Sequence, residues 1–178
     1  MEITISIASE AHVSYAEEIC KEYEASANVR GTGIAKRTTD YVIRKMRSGD
    51  AVIALQGVVF VGFCYIESFE NKKYVSNSGL LVHPDFRGKG IARRIKAKVF
   101  NLARDRYPES RVFGITTSLA VMRINTALGN HPVTLSELTK DEAFWKGCSS
   151  CSNYEKLKSK DCLLNTSPSP RDWIWHRV

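Results

Sequence analysis

The chain has 178 residues, 43% of them hydrophobic and 25% charged, with a formal net charge of +7. This length supports one domain with a sizeable core and little more. No apolar run approaches the ~20 residues that span a bilayer, and the opening Met-Glu-Ile-Thr-Ile-Ser-Ile lacks the basic start and long apolar stretch of a signal peptide, so the expected setting is the cytoplasm, with no membrane partner. The positive charge favours an anionic partner such as nucleic acid, a phosphorylated cofactor or an acidic metabolite. Five cysteines, an odd number, argue against a secreted disulfide framework.

Residues 3–7 alternate apolar and polar and predict a strand. Residues 10–28 carry Val13, Ala16, Cys20, Tyr23 and Ala27 at helical spacing, and a second, shorter helix follows, capped by Thr38 or Thr39 and ended by Ser48-Gly49-Asp50. Residues 51–55 and 58–68, apolar or β-branched around a Gln56-Gly57 turn, predict a hairpin in the sheet centre. Residues 73–82 predict a further strand closed by Pro84. After Pro-Asp-Phe-Arg-Gly-Lys-Gly, Ile91, Ile95, Val99 and Leu102 form one apolar stripe of a helix whose other face carries Arg93, Arg94, Lys96 and Lys98. Residues 111–116 predict a strand, 119–128 a helix stopped by Gly129, 132–135 a last strand, and 139–142 the capped start of a short helix. The order βααβββαβαβ is that of an α/β domain with a mixed sheet.

Two glycine loops stand out, RGTGIA at 30–35 and RGKGIA at 87–92. A glycine loop holds phosphate when a strand delivers the chain to it and a helix leaves it, because the free N–H groups of the first helical turn then face the ligand. The second loop has that context, with Leu80, Leu81 and Val82 as the strand. The first lies between two helices, where its glycines serve more simply as a helix stop and turn.

The segment SGLLVHPDFRGKGIARRIKAKVF resembles the cofactor segment of the GNAT superfamily of CoA-dependent N-acyltransferases, in which an apolar strand ending Val-x-Pro runs into Gln/Arg-x-x-Gly-x-Gly/Ala and a long helix. Val82, Pro84, Arg87, Gly90 and Ala92 match it, and the element order agrees from residue 3 to about 135, including Gly62 in the VGFCYI strand. The resemblance implies a central mixed sheet flanked by helices. It also implies an acyltransferase domain over 1–138, followed by a C-terminal helix and cysteine cluster over 139–161.

The resemblance further implies acetyl-CoA or another acyl-CoA as co-substrate, its diphosphate on Arg87, Gly88, Lys89, Gly90, Ile91 and Ala92. The pantetheine would lie along Leu80, Leu81 and Val82, whose amides would polarise the thioester carbonyl. An acceptor amine attacks directly, so the chemistry needs a free amine, an oriented carbonyl and a proton for the leaving thiolate. That proton is commonly assigned in the family to a tyrosine, where INTALGN here places Asn125; the family's asparagine seven residues earlier falls on Ser118. Glu67 is the first candidate base and His83 the second, with Tyr65 and Tyr74 as candidate acids, although each has a plain structural reading as a strand-end, loop or packing residue.

The family's acceptor site commonly borders the segment between the first two helices. Here that segment carries Arg30, Lys36 and Arg37, suited to the carboxylates of a small acidic amine. RGTGIAKRT with TTSLAV and DEAFWKGC resembles stand-alone members associated with bacterial arginine biosynthesis, which acylate glutamate. Dimers are common in the family. Protein amines remain an alternative acceptor class, and a nonenzymatic CoA-binding or nucleic-acid-binding module is the competing class, although no interleaved aromatic stripe supports base stacking.

Cys148, Cys151 and Cys162 are spaced C-x2-C-x10-C. A structural zinc would need a fourth ligand, which His131 could supply, and three unpaired thiols are the simpler reading. From Cys162 the stretch CLLNTSPSPRD resembles a translated sequencing adapter. Residues 162–178 read as a disordered or non-native tail, and no function is rested on Trp173 or Trp175.

Overall fold

The computed structural model describes residues 2–30, 36–116, 118–133, 142, 146 and 174–176. The opening strand β1 (Ile3–Ile7) leads to a 3-10 turn at Glu10–Tyr15 and then to α1 (Ala16–Arg30). The predicted helix thus divides in two, because the His12 ring accepts from the Ser9 amide at 3.0 Å and tightens the entry. Helix α2 (Thr39–Arg47) starts at Thr38, whose hydroxyl accepts from the Tyr41 amide. There follow β2 (Ala51–Gln56), β3 (Val59–Phe69), β4 (Tyr74–Val82), α3 (Ile91–Arg106), β5 (Arg111–Ile115), α4 (Leu119–Ala127), β6 (His131–Val133) and β7 (Ile174–His176).

The seven strands form one mixed sheet in the order β1-β2-β3-β4-β5-β7-β6. The first four are antiparallel neighbours; β5 joins β4 in parallel, the arrangement that the α3 crossover permits. Strand β7 lies within the predicted tail 162–178 and pairs antiparallel with both β5 and β6. Three residues with no alternating run before them carry too little pattern to announce a strand, so β7 is an addition to the predicted order.

Both faces of the sheet are covered, and residue alternation decides what goes where. Ile53, Phe63, Tyr65 and Leu81 pack against Ile19 and Tyr23 of α1 and Val42 and Met46 of α2. Val52, Cys64, Ile66, Val75 and Val82 pack against Ile91, Ile95, Val99 and Leu102 of α3. One residue of α3 departs from the predicted solvent face: Lys96 is only 3% exposed. The helix contacts α4 as well as the sheet, so its buried surface is wider than the single apolar stripe.

Strand β4 is bulged. Between the pairs Tyr65↔Ser78 and Phe63↔Leu81, Gly79 and Leu80 together stand opposite Cys64. Gly79 takes a φ of +65°, and a methyl there would overlap the Tyr65 ring and the Tyr23 hydroxyl. The Tyr23 hydroxyl instead donates to the Gly79 carbonyl. Glycine at this position therefore satisfies a left-handed backbone and a close approach together. Gly79→Ala should lower the unfolding free energy by about 2–4 kcal/mol, adding left-handed strain to overpacking, as measured by denaturant titration.

Candidate active site

Strand β5 registers with β4 only at Tyr74↔Arg111, Val75↔Val112 and Ser76↔Phe113. Beyond these pairs the two described strands no longer bond to each other, so the bulged end of β4 faces an opening in the sheet. Every backbone polar group along such an edge needs a partner. An extended molecule with its own amides is the kind of ligand that supplies one, by lying down as an added strand.

At the open end, β4 runs through His83 into a 3-10 turn at Pro84–Phe86 and then into α3. Gly88 and Gly90 have φ of +76° and +74°, and space is open where a side chain would stand on either. Gly90 is the N-cap of α3 and makes no side-chain cap. The amides of the first turn are thereby presented bare at the positive end of a 16-residue helix, which suits an anion.

The basic residues of this loop have structural partners of their own. Arg87 donates through Nε to the Val82 carbonyl at 3.0 Å and through Nη2 to Ser26 of α1 at 3.3 Å, tying the loop to the strand and to α1. Lys89 donates to the Asp85 carbonyl at 3.0 Å and lies over the Phe86 ring. Ser118 caps α4, its hydroxyl accepting from the Val121 amide. His83 stands beside Glu22 of α1 at 3.8 Å and Asp85 at 3.7 Å.

On the α1 and α2 side of the opening, the structure assembles a polar cluster whose members are distant in sequence. Glu67 pairs with Lys45 at 2.9 Å and accepts a short hydrogen bond from the Tyr41 hydroxyl. Sequence spacing carries no sign of this, because Lys45 and Tyr41 come from α2 and Glu67 from β3. Arg37 donates through Nε to the Tyr65 hydroxyl at 2.5 Å, and the Tyr41 and Tyr65 rings meet edge-on. Burial raises the phenols of Tyr65 and Tyr41 above their ordinary values, so both stay protonated at neutral pH. Tyr74, the other candidate acid, is a core residue set edge-on against Phe113.

Of the expected acceptor-binding residues, Arg37 comes to Tyr65, Lys36 is exposed and Arg30 is the last residue of α1. The rest of the first glycine loop, residues 31–35, lies outside the described residues, as do Cys148, Cys151 and Cys162. Among the described residues there is no cluster of metal-ligating side chains, and no helix is long and apolar enough to cross a membrane. Asn125 is 1% exposed in α4, and its Oδ1 finds no hydrogen-bond partner among the described residues.

If the Lys45–Glu67 pair organises this cluster, Glu67→Gln should cost about 1–3 kcal/mol by leaving a largely buried ammonium without its carboxylate. In a double-mutant cycle, adding Lys45→Met should cost much less than it does alone. Chemical denaturation of the four proteins measures both.

Residues 47–123 match the model of the acetyltransferase (GNAT) family. No curated protein matches the chain in sequence. Among solved structures, the chain is similar to N-acetylglutamate synthase from Neisseria gonorrhoeae complexed with coenzyme A and N-acetyl-glutamate, with a TM-score of 0.65 and 15% identity over 99% of this chain and 35% of that one. It therefore spans about a third of that relative's length. A GNAT-family acetyltransferase from Staphylococcus aureus Mu50 gives 0.66 and 12% identity over 99% and 98% of the two chains. Rv2747 from Mycobacterium tuberculosis, in complex with CoA and NLQ, gives 0.65 and 16% over 98% of each. At these identities the likeness is one of fold, and it agrees with the forked sheet and the glycine loop. Residues 47–123 thus match the acetyltransferase (GNAT) family model, and the described chain shares the fold of the GNAT-family acetyltransferase from S. aureus.

Proposed function

We propose that the chain transfers an acetyl group from acetyl-CoA to the primary amine of a small acidic metabolite, glutamate being the first candidate. The observation that carries this reading is the continuity of the unpaired β4 edge with the bare N-terminus of α3. One surface offers strand-like amide partners and, next to them, an anion site, which are the two needs of a pantetheine arm ending in a diphosphate.

In this reading Gly88 to Ala92 bind the diphosphate through main-chain amides, while Arg87 holds the loop in place and Lys89 adds charge. Leu80, Leu81 and Val82 orient the pantetheine and the thioester carbonyl, and Ser118 fixes the start of α4 beside the opening. CoA supplies an activated acyl group with a thiol leaving group. The protein's task is then to bring a neutral amine to that carbonyl and to exclude water.

The acceptor enters from the side of α1 and α2. Arg37, held against Tyr65 and Tyr41, supports an acidic acceptor, since a guanidinium in a half-buried aromatic setting grips a carboxylate far better than one in water. Lys36, exposed next to Arg37, extends the same positive border, and the sequence offers Arg30 as a further candidate. Glu67, fixed by Lys45 and Tyr41, orients or deprotonates the incoming ammonium. The N. gonorrhoeae neighbour, complexed with N-acetyl-glutamate, supports placing glutamate first among the acceptors.

The test is thiol release from acetyl-CoA and succinyl-CoA with a panel of amino acids, in the wild type, Arg30→Ala, Arg37→Lys and Gly90→Val. We expect glutamate-dependent release with acetyl-CoA. The arginine variants should raise the KM for glutamate about tenfold, the loss of one charge-assisted contact. Gly90→Val should raise the KM for acetyl-CoA by a similar factor, by straining a left-handed position. Turnover with neutral or basic amines alone would overturn the acidic acceptor, and failure of the wild type to bind CoA would overturn the whole reading.

A further inference from the structure

The predicted solvent-facing Lys96 points instead into the vertex of the sheet opening. A Cβ placed on Gly114 of β5 would lie 3.7 Å from Lys96 Nζ, 3.9 Å from Asn125 Nδ2 and 3.4 Å from the Asn77 carbonyl oxygen. Asn77 and Gly114 are the first residues of β4 and β5 beyond the last paired ones. An ammonium, a side-chain amide and a main-chain carbonyl therefore all lie within 4 Å of where a Cβ on Gly114 would stand, at the point where the strands separate.

The side-chain oxygens of Asn77 and Asn125 lack partners among the described residues. Among the described residues no carboxylate pairs with Lys96 and no hydrogen bond holds its ammonium, and Asn77 Oδ1 and Asn125 Oδ1 are buried without a donor. Leaving several polar groups buried and unbonded costs stability, a cost that a functional site can carry. Asn125 is also where the sequence resemblance leads one to look for a proton donor, and an asparagine side chain cannot give up a proton.

We propose that Lys96 protonates the departing thiolate of CoA from the β4–β5 vertex, where its ammonium, Asn125 and the Asn77 carbonyl all lie around Gly114. This rests on the acetyltransferase reading above. As the tetrahedral intermediate collapses, the C–S bond breaks and its electron pair goes to sulfur. Lys96 transfers one proton from Nζ to that sulfur, giving free CoA thiol and a neutral amine. The proton lost by the acceptor nitrogen passes to solvent, and solvent later returns one to Lys96, so the cycle balances.

Burial lowers the Lys96 ammonium from its ordinary value, which eases release of its proton to a thiolate. Around it stand the Cys64 thiol from β3, the main-chain carbonyl of Asn77 from β4, Gly114 from β5 and Asn125 from α4. Among these only Cys64 titrates. Burial pushes that thiol up to about 11, so it stays neutral in the working range, and it donates to the Ser78 carbonyl at 3.3 Å.

The test compares the full-length wild type with Lys96→Met and Lys96→Arg, in acetyl-CoA turnover and thermal unfolding. Both variants should lose about a hundredfold in kcat, the usual worth of a general acid, with the KM for acetyl-CoA changed less than about twofold. Lys96→Met should also raise Tm, because it replaces an unpaired buried charge with a side chain of similar length. In the wild type kcat should fall as pH rises through the Lys96 titration, and that limb should be missing in Lys96→Met. Lys96→Arg tests the point even if Lys96→Met folds badly, since it keeps the charge but holds its proton. Wild-type kcat in either variant, or losses of kcat that follow losses of Tm in both, would overturn the role of Lys96 while leaving the acetyltransferase reading intact. A wild type that binds no CoA would instead overturn that reading, and this inference with it.

Discussion

The separation of β5 from β4 after three paired residues is the constraint on which the rest of the molecule depends. A parallel sheet normally bonds every strand along both edges, and an opening inside it leaves main-chain amides facing empty space. The fold sustains this opening from both ends. Below the vertex, Tyr74 and Phe113 pack edge to face and close the strands together. Above it, Arg87 ties the end of β4 to α1, and the Gly79 bulge turns β4 toward Tyr23.

The two faces of the sheet then divide the chemistry. On the side of α3 and α4 lie the bare helix start and the buried group of Lys96, Asn77 and Asn125, facing the path of a cofactor. On the side of α1 and α2 lie Arg37, Tyr65, Tyr41, Lys45 and Glu67, a charged and aromatic cluster suited to an acceptor. Alternation along β3 links the sides, since Cys64 faces one and Tyr65 and Glu67 the other. A one-residue slip in the register of β3 would exchange them.

Much of this architecture is legible in the sequence, for identifiable reasons. The Leu80-Leu81-Val82 strand, the Pro84 stop, the glycines and the stripe of α3 are local signals, each with its physical cause within a few residues. The Thr38 cap of α2 is equally local. What the sequence conceals is long-range. The pairing of Glu67 with Lys45 joins residues 22 apart through tertiary packing alone. Gly79 reads as an ordinary strand residue until Tyr23 and Tyr65 are placed around it. Lys96 reads as solvent-facing because a helical wheel knows one buried face, whereas α3 is covered by the sheet and by α4. Strand β7 is concealed because three residues inserted between β5 and β6 depend on partners far back in the chain.

Amide hydrogen exchange with and without CoA tests the account most directly, because it reads the open edge and the loop in one experiment. The account predicts slowed exchange on CoA addition in two segments, residues 77–82 of β4 and residues 88–92 at the start of α3, with little change in β1 and β2. Binding of CoA that leaves both segments unchanged, or that protects only residues elsewhere, would contradict it.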